Sequence, residues 1–123
     1  MHKLLPFASF GYSITLLLAS LIKVKDVVDL PENNDKVMHA IAYFIFTSIW
    51  FYTLNSYYNK SIKQALKIAI IASILFGIII ELLQHTITQS RQADYKDIIA
   101  NVVGTLVAVL IIKLIIKMKV KNH

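Results

Sequence analysis

The stretch Ala65–Leu83, ALKIAIIASILFGIIIELL, decides the fold. Its only charges are Lys67 near the start and Glu81 near the end. A helix needs about 20 mostly apolar residues to cross the hydrocarbon of a bilayer, and this run approaches that length. Ala69, Ser73, Gly77 and Glu81 recur every four positions, so a helix places them on one face. Small side chains at that spacing let a second helix approach closely, and here the seam ends in a carboxylate. Three further windows have the same character: Leu4–Ile22, Val37–Leu54 and Ile98–Ile116. The expected fold is an all-α membrane protein, a four-transmembrane-helix bundle in one domain over residues 1–123. Its spans are expected at about 4–22, 37–54, 65–85 and 95–117.

Composition agrees. Hydrophobic residues make up 57% of the 123 and mean hydropathy is +0.63, against roughly 45–50% apolar residues in a soluble domain. A soluble chain of 14.0 kDa has too little interior to hide that much apolar surface. The net charge of +6 and pI near 9.6 do not point to nucleic acid, because the basic residues flank apolar runs instead of lining a polar face. Membrane topology and anionic lipid account for them. Without cysteine there is no disulfide framework and no thiolate metal site. The first window is longer than the roughly 7–15 residues of a signal-peptide core and is read as a retained span.

Charge assigns an orientation. Lys3, Lys60, Lys63, Lys67, Lys113, Lys117, Lys119 and Lys121 fall at one set of span ends, whereas Lys23, Lys25, Lys36, Arg91 and Lys96 fall at the other. The first set is the larger, so that side is expected to be cytoplasmic, with both termini inside. All seven acidic residues, Asp26, Asp29, Glu32, Asp35, Glu81, Asp94 and Asp97, then lie outside. Trp50, Phe51, Tyr52, Tyr57 and Tyr58 crowd the inner end of the second span and are expected to anchor it at the interface.

Pro31 and Asn33-Asn34 interrupt the chain before the second span, with Asp35 expected as the helix cap. Asn55–Gln64 reads as a tight cytoplasmic connection. Asp94 followed by Asp97 reads as a cap and a first-turn acid for the fourth span. Asp94, Asp97 and Asn101 share a stripe with Gly104 and Ala108, so packing face and polar face coincide there; Gly77 and Gly104 are the expected close-approach points. Asp35, His39 and Tyr43 follow the same spacing on the second span, with Thr47 deeper on that face; Tyr43 and Thr47 are expected to pack in the core and share a hydrogen bond.

Three span ends thus bring Asp35, Lys36, His39, Tyr43, Glu81, Gln84, Arg91, Asp94, Asp97 and Asn101 to one region. An ionisable residue costs roughly 2.5–3.5 kcal/mol at the centre of a span and is seldom kept without a partner or a task. One reading is a structural network locking three helices. A second is an outward binding site for an anionic or amphiphilic group, in which Lys36 and Arg91 supply donors and His39, Gln84 and Asn101 orient the ligand. The alternative class is a membrane-embedded enzyme, possibly metal-dependent, acting on a lipid-linked substrate. The residues contain no His-Glu-x-x-His and no recognisable nucleophile motif, so no metal or other cofactor is expected.

At these positions the chain resembles the VanZ-like family of small multi-pass bacterial membrane proteins. The resemblance rests on Asp35-Lys36-x-x-His39-x-x-x-Tyr43, Glu81-x-x-Gln84 and Arg91-x-x-Asp94-x-x-Asp97-x-x-x-Asn101-x-x-Gly104, and covers roughly Asp35 to Lys113. The chain departs from the family pattern in lacking a proline-glycine pair before Arg91, and in carrying Val102 and Ala108 where threonine and glycine are common. The resemblance implies a protein of the cell membrane with its polar cluster on the extracytoplasmic side. It further implies an association with teicoplanin-type glycopeptide resistance; the outward polar patch itself is expected to act on the envelope by binding a membrane lipid or lipid-linked envelope component, or by altering access of an amphiphilic drug. The resemblance supplies no reaction and no protein partner.

Overall fold

A computed structural model describes residues 2–21, 32–87 and 95–121. A short 3-10 turn, His2–Leu4, leads into four helices: α1 (Leu5–Leu21), α2 (Glu32–Ser56), α3 (Ile62–Ile87) and α4 (Tyr95–Lys121). No strand occurs among the described residues. α2, α3 and α4 contain 25, 26 and 27 residues, so each is about 38–40 Å long at 1.5 Å per residue. By length and composition these three can cross a membrane. α1, with 17 residues, stands at the short end of the spanning range.

Burial is inverted relative to a soluble bundle. The outward faces carry Phe7, Ile14 and Leu18 on α1, Ile41 on α2, Ile71, Leu75, Ile79 and Leu82 on α3, and Leu106, Leu110 and Leu114 on α4, all exposed. Ser9, Thr47, Thr53, Ser73, Glu81, Asp97, Asn101 and Thr105 are buried. Such a surface is stable only in an apolar solvent, where the polar groups must satisfy one another inside.

α2 and α4 make the most extensive contact, α3 packs on both, and α1 lies against α2 and α3. Gly104 allows the closest approach. A Cβ built on it would stand 2.8 Å from the carbonyl carbon of Ala40. At the end where α2 finishes and α3 begins, the interior is apolar: Phe51, Ala65, Leu66, Ala69 and Val109, flanked by Trp50, Leu54, Ile70, Ile112 and Ile116. Phe46 stacks on Phe76 with centroids 4.8 Å apart and joins this region to Tyr43 and Trp50.

α1 is fastened to α2 by polar contacts. Ser9 and Thr53 share a hydrogen bond, Trp50 Nε1 donates to Ser13 Oγ at 3.0 Å, and Tyr12 Oη donates to the Ala42 carbonyl at 2.6 Å. Side-chain hydrogen bonds within membranes contribute about 0.6 kcal/mol each on average. Their geometry corrects the expected aromatic belt. Tyr52, Tyr57 and Tyr58 are exposed as anchors should be, but Phe51 is in the core and Trp50 turns toward α1.

The helix ends follow local chemistry. The connector is shorter than Asn55–Gln64, because α2 continues to Ser56 and α3 starts at Ile62. Asn59 takes φ 57°, a left-handed conformation that asparagine tolerates, and Asn55 Nδ2 donates to the Lys60 carbonyl at 2.9 Å. The hydroxyl of Ser61 accepts from the Gln64 amide at 3.2 Å and caps α3. α2 begins at Glu32, so Asp35 lies inside its first turn and is not the cap expected there. In the sequence Pro31 directly precedes Glu32, a placement compatible with a helix start, and acids in the first turn suit the helix dipole.

Candidate functional site

The four-residue spacings seen in the sequence become three facing stripes. α2 contributes His39, Tyr43 and Thr47; α4 contributes Asp97, Asn101 and Thr105; α3, running the other way, contributes Glu81, Gly77 and Ser73. They meet in layers stacked along the bundle.

The first layer holds the charges. Lys36 Nζ donates to Asp97 Oδ1, and His39 Nε2 lies 3.9 Å from the same oxygen. Asp97 is 0% exposed, whereas the Lys36 side chain is 24% exposed. An ammonium at the lip therefore stands over a carboxylate that has no exposed surface of its own. The carboxylate sits in the first turn of α4, where the helix dipole favours negative charge. Glu81 is buried on the same stripe of α3, one turn from Gly77.

The second layer consists of Tyr43, Gly77 and Asn101. A Cβ on Gly77 would lie 2.8 Å from Asn101 Nδ2 and 3.5 Å from Tyr43 Cε1, so the absent side chain is what admits the amide between α2 and α3. Asn101 is 4% exposed, and its Oδ1 has no hydrogen-bond partner. A buried acceptor left unsatisfied costs about 1–3 kcal/mol.

The third layer is saturated. Thr105 Oγ1 donates to the Asn101 carbonyl at 3.0 Å and accepts from Thr47 at 3.3 Å; Ser73 lies 2.7 Å from it. With the Thr105 proton committed to the carbonyl, both neighbouring hydroxyls donate to its oxygen, which fills the capacity of one hydroxyl. Thr47 thus bonds Thr105, not the Tyr43 expected from the sequence. Beyond this layer α2, α3 and α4 enclose the apolar cluster around Phe51, Leu66 and Val109, while Ser9 and Thr53 pair between α1 and α2.

Among the residues singled out in the sequence, Lys36, His39 and Asp97 meet in the first layer, and Tyr43, Gly77 and Asn101 in the second. Gly104 meets the Ala40 backbone, and Ala108 is fully buried. Arg91 and Asp94 lie outside the described residues, as do the side chains of Asp35 and Gln84, whose backbones belong to α2 and α3. Among the described residues no three His, Asp or Glu side chains gather as a metal site would require. Sequence reasoning missed Thr105, although it continues the Asp97-Asn101 spacing by four, and took Ser73 for a small packing residue when it is also a hydrogen-bonding one.

This combination, a lysine and a histidine of one helix converging on a carboxylate of another with an asparagine one turn below, is held by the residues that carried the family resemblance. No curated protein and no solved structure matches the chain. The family model VanZ/LLP1 matches residues 2–116. The match includes α1, α2 and α3 entirely and most of α4, with every residue of the layered site. The chain therefore belongs to the VanZ/LLP1 family.

Proposed function

We propose that this VanZ-like protein lies in the cell membrane with both termini cytoplasmic, and that its layered polar end faces outward. There it binds the headgroup of a lipid or lipid-linked envelope component, and so alters envelope properties or glycopeptide susceptibility. The observation that carries this reading is the Lys36–Asp97 pair, a part-exposed ammonium held in place by a fully buried carboxylate beside His39. The lysine reaches the lip of the bundle, and an anionic headgroup at that depth is attracted to a positioned cation. Arg91, close to this end in sequence, adds a planar fork suited to phosphate or carboxylate. The acids nearby make the site selective, because a ligand must offer donors as well as negative charge.

The test compares retained lipid, by native mass spectrometry, and glycopeptide susceptibility in cells expressing equal amounts of wild type, Arg91→Lys and Asp97→Asn. Weaker retention in both variants, with the fold intact, is the expected result. Identical behaviour of all three folded proteins in both assays overturns the binding reading. Orientation is tested separately by an impermeant thiol reagent on intact cells, since the chain has no cysteine. Asn33→Cys and Gln89→Cys should be labelled and Ser61→Cys spared.

A further inference from the structure

The second layer contains a group that the proposed headgroup site does not use. Asn101 is more than nine-tenths buried, α4 cannot turn it away without also moving Asp97 and Thr105, and its Oδ1 is unpartnered. Hydrocarbon supplies no donor, so an acceptor kept in a membrane bundle needs one from inside. The third layer cannot provide it, because the Thr105 proton goes to the Asn101 backbone carbonyl and Thr47 and Ser73 point at Thr105. Gly77 is the neighbour on α3 and brings no side chain at all.

We infer that the layer of Tyr43, Gly77 and Asn101 is a binding seat for one uncharged O–H donor from outside the chain, either a water molecule or a hydroxyl of a bound lipid. The chemistry selects against other occupants. One neutral amide oxygen offers too little to strip a cation of its hydration, and an anion brings no donor to it. The seat lies one helical turn below Asp97, so an occupant entering from the Lys36 end has to pass the first layer, whether it is a lipid hydroxyl or a water. The lipid alternative rests on the headgroup reading above; the water alternative does not.

The side-chain carbonyl stretch of Asn101 reads the outcome. The full chain is labelled with 13C-asparagine and placed in nanodiscs of phosphatidylglycerol, whose headgroup carries hydroxyls, or of phosphatidylcholine, whose headgroup carries none. Infrared difference spectra against Asn101→Gln, which keeps an amide but drops the label at this site, isolate the band. A hydrogen-bonded, lowered frequency in both lipids identifies water and leaves the headgroup reading untouched. A lowered frequency in phosphatidylglycerol alone identifies a lipid hydroxyl. A free-carbonyl frequency in both overturns the proposal, as does a lowered frequency that Tyr43→Phe abolishes, because the donor then belongs to the chain.

Discussion

Gly104 of α4 rests directly on the backbone of Ala40 in α2, and this contact fixes how closely the two helices run. A Cβ at Gly104 would lie 2.8 Å from the Ala40 carbonyl carbon and 3.0 Å from its Cα. Backbone does not step aside as a side chain tip does, so Gly104→Ala must part the helices and strain the Lys36–Asp97 pair above. The expected loss is about 1–3 kcal/mol, as for other overpacked interiors. Gly11, with nothing within 4 Å of its built Cβ, is the control, and Gly11→Ala should leave the melting temperature in detergent unchanged or slightly raised.

Gly77→Ala should behave differently from Gly104→Ala. The nearest atom to the new methyl is Nδ2 of Asn101, the tip of a side chain, at 2.8 Å. The amide shifts and the helices stay, so the stability change should be under about 1 kcal/mol. The infrared band of Asn101 should nevertheless move, and an unaltered band would show that Gly77 does not set the amide's position.

The two members of the Lys36–Asp97 pair should not be equally sensitive. Asp97 is fully buried and Lys36 reaches the lip. Removing the ammonium in Lys36→Met takes one charge partner from a fully buried carboxylate that keeps His39 Nε2 at 3.9 Å, a loss of about 1–3 kcal/mol. Asp97→Asn leaves a lysine that can extend toward solvent, so it should cost less. Chemical unfolding of the two variants in the same detergent checks the order, and equal costs would mean that the carboxylate is hydrated.

Thr105 should be the most costly hydroxyl in the bundle to remove. It joins Thr47, Ser73 and the Asn101 carbonyl, whereas Thr47 and Ser73 each appear in one contact with it. Thr105→Val should therefore destabilise by about 1–2 kcal/mol and Thr47→Val by about half as much. The Ser73→Ala and Thr105→Val effects should be non-additive, because the second change removes the acceptor the first would have left.

Much of this was legible in the sequence, and the reason is the spacing by four. Asp97, Asn101, Gly104 and Ala108 were identifiable as one face of a helix, and the ladder Ala69, Ser73, Gly77 and Glu81 as one face of another; all are buried. What the spacing does not encode is which stripe faces which and at what height, since that depends on how far each helix slides along its neighbour. The Lys36–Asp97 pairing and the choice of Thr105 as partner for Thr47 are of that kind. Trp50 and Phe51 misled for a related reason: an aromatic near a span end suits the interface or the core equally, and only the presence of α1 alongside Trp50 decides.

The apolar plug at the far end of the bundle has an electrical meaning. Along the axis between α2, α3 and α4, polar side chains stop at Thr47, Ser73 and Thr105, and Phe51, Leu66 and Val109 follow. A charge travelling farther between these helices would meet Phe51, Leu66 and Val109 in place of hydroxyls, at a cost of several kcal/mol. Among the described residues, the interior between these three helices is thus polar at one end and insulating at the other. A charge admitted beside Lys36 therefore meets hydroxyls as far as Thr105 and hydrocarbon side chains beyond it.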